Sequence, residues 1–130
     1  MRMIVDTSAI LCVLLNQEDK GKIVLKTQNA ILMAPASLHW EIGNALSSLI
    51  KRKKLSEKLG LDVIEEFAKI PIQSVDVDMK MVISLVGKHS IYAYDAYMII
   101  SAKQNKIPIL SLDKGLLEVA RKEKLGIVEV

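Results

Sequence analysis

Met3-Ile4-Val5-Asp6-Thr7-Ser8 is the stretch on which the fold turns. Three apolar residues run without alternation into a carboxylate, and two hydroxyl residues follow. A run of this kind suits a strand covered on both faces, as in a parallel sheet. Ala9 to Leu15 has the pattern of a helix, so Asp6 stands at the carboxyl end of a strand. In open parallel α/β sheets that edge is where ligands gather. A helix cap formed by Asp6 or Thr7 is the competing explanation.

Outward from that stretch, strands and helices alternate. Met3 to Asp6 is strand one and Ser8 to Asn16 helix one. Lys20 to Gln28 is a second helix with Asp19 as its candidate cap. Ile31 to Ala34 is a buried strand that Pro35 should stop. Ser37 is the candidate cap of a helix running to about Lys53. In that helix Leu38, Ile42, Ala45, Leu46, Leu49 and Ile50 fall at helical spacing and define the inward face. Glu41 lies at the edge of that face, and Trp40 points away from it. Ser56 to Lys69 is a helix whose apolar stripe is Leu59, Val63, Ile64 and Phe67. Ile70 to Val75 is a strand, and Pro71 with the alternation after it marks an edge position. Asp76 to Gly87 is a helix with Met79, Val82, Ile83 and Val86 inward, opened by Asp76 and Asp78. Ala93 to Gln104, Ile107 to Leu110, Lys114 to Lys124 and Ile127 to Val130 complete the chain as helix, strand, helix and strand.

Composition narrows the class. The 130 residues fit one domain, 1–130, with a substantial core. Half of them are apolar, which excludes disorder. No apolar run approaches the roughly 20 residues of a membrane span, and Asp6 interrupts the first apolar run too early for a signal peptide. The single cysteine, Cys12, cannot staple the chain and reads as a small core residue. A cytoplasmic protein is the expectation. A net charge of +3 permits a nucleic-acid partner without requiring one. The run Lys51-Arg52-Lys53-Lys54 suits a helix C-terminus as well as a polyanion.

The acidic residues have a common location. Parallel strands joined by right-handed crossovers all end at one edge. Asp6 ends strand one, Asp113 follows strand four, and Glu41 and Asp95 lie in the first turns of helices that begin at that edge. Asp95 also shares a face with Met98, Ile99 and Ala102, where a carboxylate is costly unless compensated. Asp113 has the ordinary alternative of capping the helix after it. Four carboxylates on one rim repel unless protonated or bridged by a cation. No cysteine or histidine pair offers a zinc site. Oxygen ligands alone suit Mg²⁺ or Mn²⁺, and such an ion can activate water against a phosphodiester.

Val5-Asp6-Thr7-Ser8, Glu41-Ile42-Gly43-Asn44-Ala45-Leu46, Tyr94-Asp95-Ala96 and Ser111-Leu112-Asp113 together resemble the motifs of PIN-domain ribonucleases, the VapC toxins of toxin–antitoxin pairs above all. The resemblance spans essentially the whole chain, with serine at 111 where the family often has threonine. It implies a three-layer α/β/α fold with a five-stranded parallel sheet in the order 3-2-1-4-5. It implies a Mg²⁺- or Mn²⁺-dependent endoribonuclease acting on RNA, usually a homodimer and inhibited by a small antitoxin. By position, Asp6, Glu41, Asp95 and Asp113 would be the metal ligands. Thr7, Ser8 and Ser111 would be hydroxyl donors around metal or phosphate, and Asn44 would help hold the rim. Trp40, turned from the core beside Glu41, is the expected interface residue. Two rivals are a catalytically inactive PIN-like interaction protein and a phosphoacceptor receiver domain. The receiver would normally show paired acidic residues after strand one, where Thr7 and Ser8 stand.

Overall fold

The computed structural model describes residues 1–130. The chain runs β1 (Arg2–Val5), α1 (Thr7–Leu14), α2 (Lys20–Thr27), β2 (Ile31–Pro35), α3 (Leu38–Lys51), α4 (Glu57–Ala68), β3 (Ile72–Val75), α5 (Met79–His89), α6 (Ala93–Asn105), β4 (Ile109–Leu110) and α7 (Lys114–Lys122). All strand pairs are parallel, in the order β3-β2-β1-β4. Met3, Ile4 and Val5 are each at most 1 % exposed. Successive strand residues point to opposite faces, so β1 is covered on both sides. Helices α1 to α4 pack on one another, α5 to α7 on one another, and α6 lies against β1 and β2. No helix is long and apolar enough to cross a membrane.

The sheet has four strands, not the five expected. The segment foreseen as a last strand, Ile127 to Val130, makes one bridge, Ile127 opposite Ile109. Its hydrogen bonds are Ile109 N to Gly126 O at 3.0 Å and Val128 N to Ile109 O at 2.9 Å. The cause is the brevity of β4, whose outer side offers only the N–H and C=O of Ile109. A side chain at Gly126 would press on Pro108 at 3.3 Å.

Several helix faces also differ from the periodicity. In α4 the buried line is Gly60, Val63 and Phe67, while Leu59 and Ile64 are exposed. Gly60 faces inward because α3 comes close: a Cβ there would meet Ile50 Cδ1 at 3.1 Å. In α5, Val82 and Leu85 are buried and Met79 and Ile83 are exposed. In α3, Leu38, Ile42 and Leu46 are buried, Ala45 and Leu49 half-buried, and Ile50 exposed. Neither Asp19 nor Ser37 caps its helix through the side chain. Ser37 already has helical dihedrals, φ −57° and ψ −19°. Ser56, Asp78 and Asp113 do cap, each accepting a bond from a first-turn N–H. Pro35, expected to end β2 by exclusion, is its last residue. No helix ends on a left-handed glycine: at six of the seven, Asn16, Asn29, Lys53, Ser90, Lys106 and Lys124 take the left-handed conformation instead, and α4 ends without one.

One polar cluster ties the α5–α7 layer together. The Glu123 side chain is 3 % exposed and accepts from Lys88 Nζ at 2.9 Å and Lys103 Nζ at 2.7 Å, with His89 Nε2 at 2.8 Å. These hydrogen bonds, Lys103's first, hold its carboxyl down at about 2. A depressed carboxyl pKa contributes stability that is present above about pH 4.5 and lost as pH falls toward 2. Glu123→Gln should therefore destabilise by roughly 1–3 kcal/mol near neutral pH, less if the exposed lysines find water cheaply. In urea melts that difference should shrink as the pH is lowered. A pH-independent difference would mean the charge is not its source.

Candidate active site at the sheet's carboxyl edge

From β1 the chain passes to β2 and β3 on one side, while β4 flanks β1 on the other. The carboxyl ends of β1 and β4 therefore border the point where the strand order reverses, the crevice that doubly wound sheets use for ligands. Asp6 follows β1 there, and Ser111 follows β4.

Asp6 is 5 % exposed. Its Oδ1 accepts from Ser8 Oγ at 2.7 Å and from Ala9 N at 3.0 Å, and its Oδ2 accepts a short bond from Ser111 Oγ. The bond from Ala9 caps α1, so the capping role is real. A cap by itself needs neither burial nor a second strand's hydroxyl. Burial pushes the Asp6 carboxyl up, and the bonds from Ser111, Ser8 and Ala9 oppose it. Ser8 Oγ in turn accepts from Leu112 N at 2.8 Å, and Ser111 Oγ from Asp113 N at 2.9 Å. Both hydroxyls thus direct their protons at Asp6 and stitch the β4–α7 turn to the end of β1.

Glu41, in the first turn of α3, is half-buried. Burial, then the charges of Asp6 and Asp95, push its carboxyl up to about 7. Ser37 Oγ donates to it across a long 3.4 Å. Asp95, in the first turn of α6, is half-buried and raised by burial, Asp113 and Asp6, with no hydrogen bond to offset them. Asp113 is exposed, and its Oδ1 caps α7 through Leu116 N at 3.1 Å. Thr7 Oγ1 is buried without a hydrogen-bond partner of proper geometry, although it lies close enough to Glu41 to favour that carboxylate. Asn44 is exposed, and Trp40 is 71 % exposed. The contact of Ser37 with Glu41 was hidden in the sequence behind the more usual capping role of serine.

The charges of Asp6 and Asp95 reach Glu41, that of Asp6 also reaches Asp95, that of Asp113 reaches Asp6 and Asp95, and none of the four takes part in any of the chain's ion pairs. No three acidic, histidine or cysteine side chains converge closely enough to hold an ion as they stand. The fit to a hard divalent cation is thus one of donor chemistry: oxygens only, raised carboxyls, and a buried hydroxyl without a partner.

The raised Glu41 has a consequence for stability. A carboxyl whose folded pKa is about 7 binds more protons folded than unfolded between about pH 4.5 and 7. Its contribution is largest below that window and is lost as pH rises through it. In EDTA, the melting temperature of Glu41→Gln should gain on wild type from about pH 5 to pH 7 and then level off. A difference that does not change with pH would show that Glu41 is not strained.

The family model for the PIN domain matches residues 3–122. No curated protein matches the sequence. Among solved structures, the fold is similar to that of VapBC2 from Rickettsia felis bound to a promoter DNA fragment, with TM-score 0.67, 12 % identity and 98 % of each chain covered. It is similar to VapC20 of Mycobacterium tuberculosis, described as a sarcin-ricin loop cleaving toxin, with TM-score 0.66, 14 % identity and 98 % of each chain covered. PAE2754 from Pyrobaculum aerophilum aligns with TM-score 0.65 and 16 % identity over 93 % of this chain and 89 % of that one. Identities this low speak for the fold alone, whereas the family match runs through all four acidic positions; the chain belongs to the PIN-domain family.

Proposed function

We propose that the protein is a Mg²⁺- or Mn²⁺-dependent endoribonuclease, the toxin of a VapBC-type toxin–antitoxin pair, acting as a homodimer in the cytoplasm. The observation that carries this is the set of uncompensated carboxylates at the strand-reversal crevice of a PIN domain, a family whose members are typically nucleases. The receiver-domain alternative falls with the family match. A VapC toxin described as sarcin-ricin loop cleaving and a VapBC complex among the structural neighbours support the toxin reading.

Asp6, Glu41, Asp95 and Asp113 would hold the ion, which supplies a water nucleophilic at neutral pH and neutralises the phosphodiester under attack. The chain's own residues prepare that site. Ser8 and Ser111 fix both Asp6 oxygens, so the carboxylate is oriented before substrate arrives. Asp113 is held by its cap on α7. Thr7 Oγ1, buried beside Glu41, is the hydroxyl left to donate to a phosphate oxygen. Ser8 and Ser111 act as positioning residues.

An antitoxin has a surface suited to it. Trp40, Gly43, Ser47 and Ile50 share one face of α3, and with Leu61 and Ile64 of α4 they leave an exposed apolar strip. A cleft of about 260 Å³ runs between the two helices there. An amphipathic helix from a small partner fits such a strip.

Cleavage of single-stranded or loop RNA should require Mg²⁺ or Mn²⁺ and stop in EDTA. Asp6→Asn and Asp95→Asn should each lose at least about 100-fold in rate. Full activity in EDTA, or a loss under about twofold for either variant, would contradict the mechanism. Trp40 is the only tryptophan, so its fluorescence reports one face. Acrylamide quenching should fall when the protein is co-purified with its antitoxin. Full accessibility to quencher in the dimer, the antitoxin complex and the RNA complex alike would remove Trp40 from every interface.

A further inference from the structure

Beside the acidic rim lies a second cleft, of about 400 Å³, which the chemistry above does not use. Pro35, Ala36 and Ser37 from the β2–α3 turn line one side, Val75, Asp76 and Val77 after β3 another, and Met79 and Tyr97 close it. Two of these residues connect it to the rim. Ser37 donates to Glu41. Tyr97 is two residues beyond Asp95 in α6, so one side of the helix serves the rim and the other the cleft. Its ring is half-buried and braced edge-on by Tyr94, with centroids 6.2 Å apart and planes at 66°. A braced aromatic ring beside apolar side chains is a stacking surface. Asp78 takes the capping of α5, and the exposed Asp76 lines the cleft beside it.

We propose that this cleft is the nucleobase subsite of the nuclease: a base within two nucleotides of the cleaved bond stacks on Tyr97 and is read by Asp76. The proposal rests on the ribonuclease reading above. A polyanion approaching four carboxylates gains little from its phosphates, so purchase on a base is what would position it. An ionised carboxylate only accepts hydrogen bonds, and it matches two adjacent N–H donors. Of the four bases, guanine carries such a pair on its pairing edge, N1–H beside the N2 amino group. Adenine and cytosine offer one amino group there, and uracil a single N–H between two carbonyls that repel a carboxylate. The subsite therefore selects guanine and disfavours uracil. A splayed single strand or loop satisfies it, whereas a duplex hides the pairing edge.

The test sequences the ends produced when a randomised single-stranded RNA pool is cut in Mn²⁺. Guanine should be enriched at one fixed position within two nucleotides of the cut, by at least about fivefold over uracil, the low end of what a bidentate base contact supplies. Asp76→Asn and Tyr97→Ala should flatten that enrichment, and Tyr97→Phe, which keeps the ring, should retain it. No preference at any position, or a preference that survives Asp76→Asn, would overturn the proposal. A second measurement needs no cleavage. Metal-free protein is titrated with 5′-GMP, 5′-IMP and 5′-UMP while the Met79 methyl and Tyr97 ring resonances are followed by NMR. Shifts should be largest with GMP, weaker with IMP, which lacks the N2 amino group, and weakest with UMP. If the pool is not cut at all, the ribonuclease reading fails, and this titration alone judges the cleft. Equal shifts for the three nucleotides, or none, overturn it there too.

Discussion

The buried carboxylate of Asp6 is the constraint to which the rest of the site answers. A carboxylate at the end of a central strand, 5 % exposed, persists only if its lone pairs are taken up. Ser8, the Ala9 N–H and Ser111 do that, and the arrangement requires β4 to lie beside β1 so that Ser111 arrives. The β4–α7 turn is then pinned through the N–H groups of Leu112 and Asp113, which sets where α7 starts and where the Asp113 charge sits. Sheet order, turn and acidic rim are one linked structure.

A division of labour follows from the different treatment of the acids. Asp6 and Asp113 are hydrogen-bonded into place. Glu41 has one long bond from Ser37 and the Thr7 hydroxyl nearby, and Asp95 has nothing to offset its burial and its neighbours. Glu123 shows what a structural buried carboxylate looks like in the same molecule: two lysines and a histidine as partners and a depressed pKa. The carboxyls of Asp6, Glu41 and Asp95 are shifted the opposite way. That contrast between two acidic environments in one small domain is the strongest physical argument that the rim is kept for what it binds.

The parts of this arrangement that follow from local pattern were legible in the sequence. The apolar run ending in Asp6, the edge strand after Pro71 and the carboxylate of Asp95 in line with Met98 and Ile99 needed only periodicity. Capping by Asp6 and Asp113 needed only position, whereas the caps expected of Asp19 and Ser37 do not form and those of Ser56 and Asp78 were not foreseen. What escaped depends on contacts between distant elements. Leu59 and Ile64 looked buried because Gly60 gives no hydrophobic signal, yet it is Gly60 that α3 approaches. Ile127 to Val130 had strand composition, but β4 offered it a single residue to pair with. Ser8 and Ser111 stood where hydroxyls toward a ligand were expected, and the bonds from Ser111 to Asp6 and from the Leu112 N–H to Ser8 each bridge more than 100 residues of chain. Glu123 meets Lys88, His89 and Lys103 only once three helices have assembled.

Asp95 carries the central claim in its simplest form: a charge held at the rim against the fold's own preference. Thermal melts of wild type and Asp95→Asn, in EDTA and then in excess Mg²⁺ or Mn²⁺, test it most directly. If Asp95 is kept for a cation, the amide should melt no lower than wild type in EDTA, because it removes repulsion and an unpaired buried charge. Metal should then raise the wild-type melting temperature and raise that of the variant much less. A variant clearly less stable than wild type in EDTA, whose melting point still responds to metal as wild type does, would make Asp95 a structural residue and contradict the account.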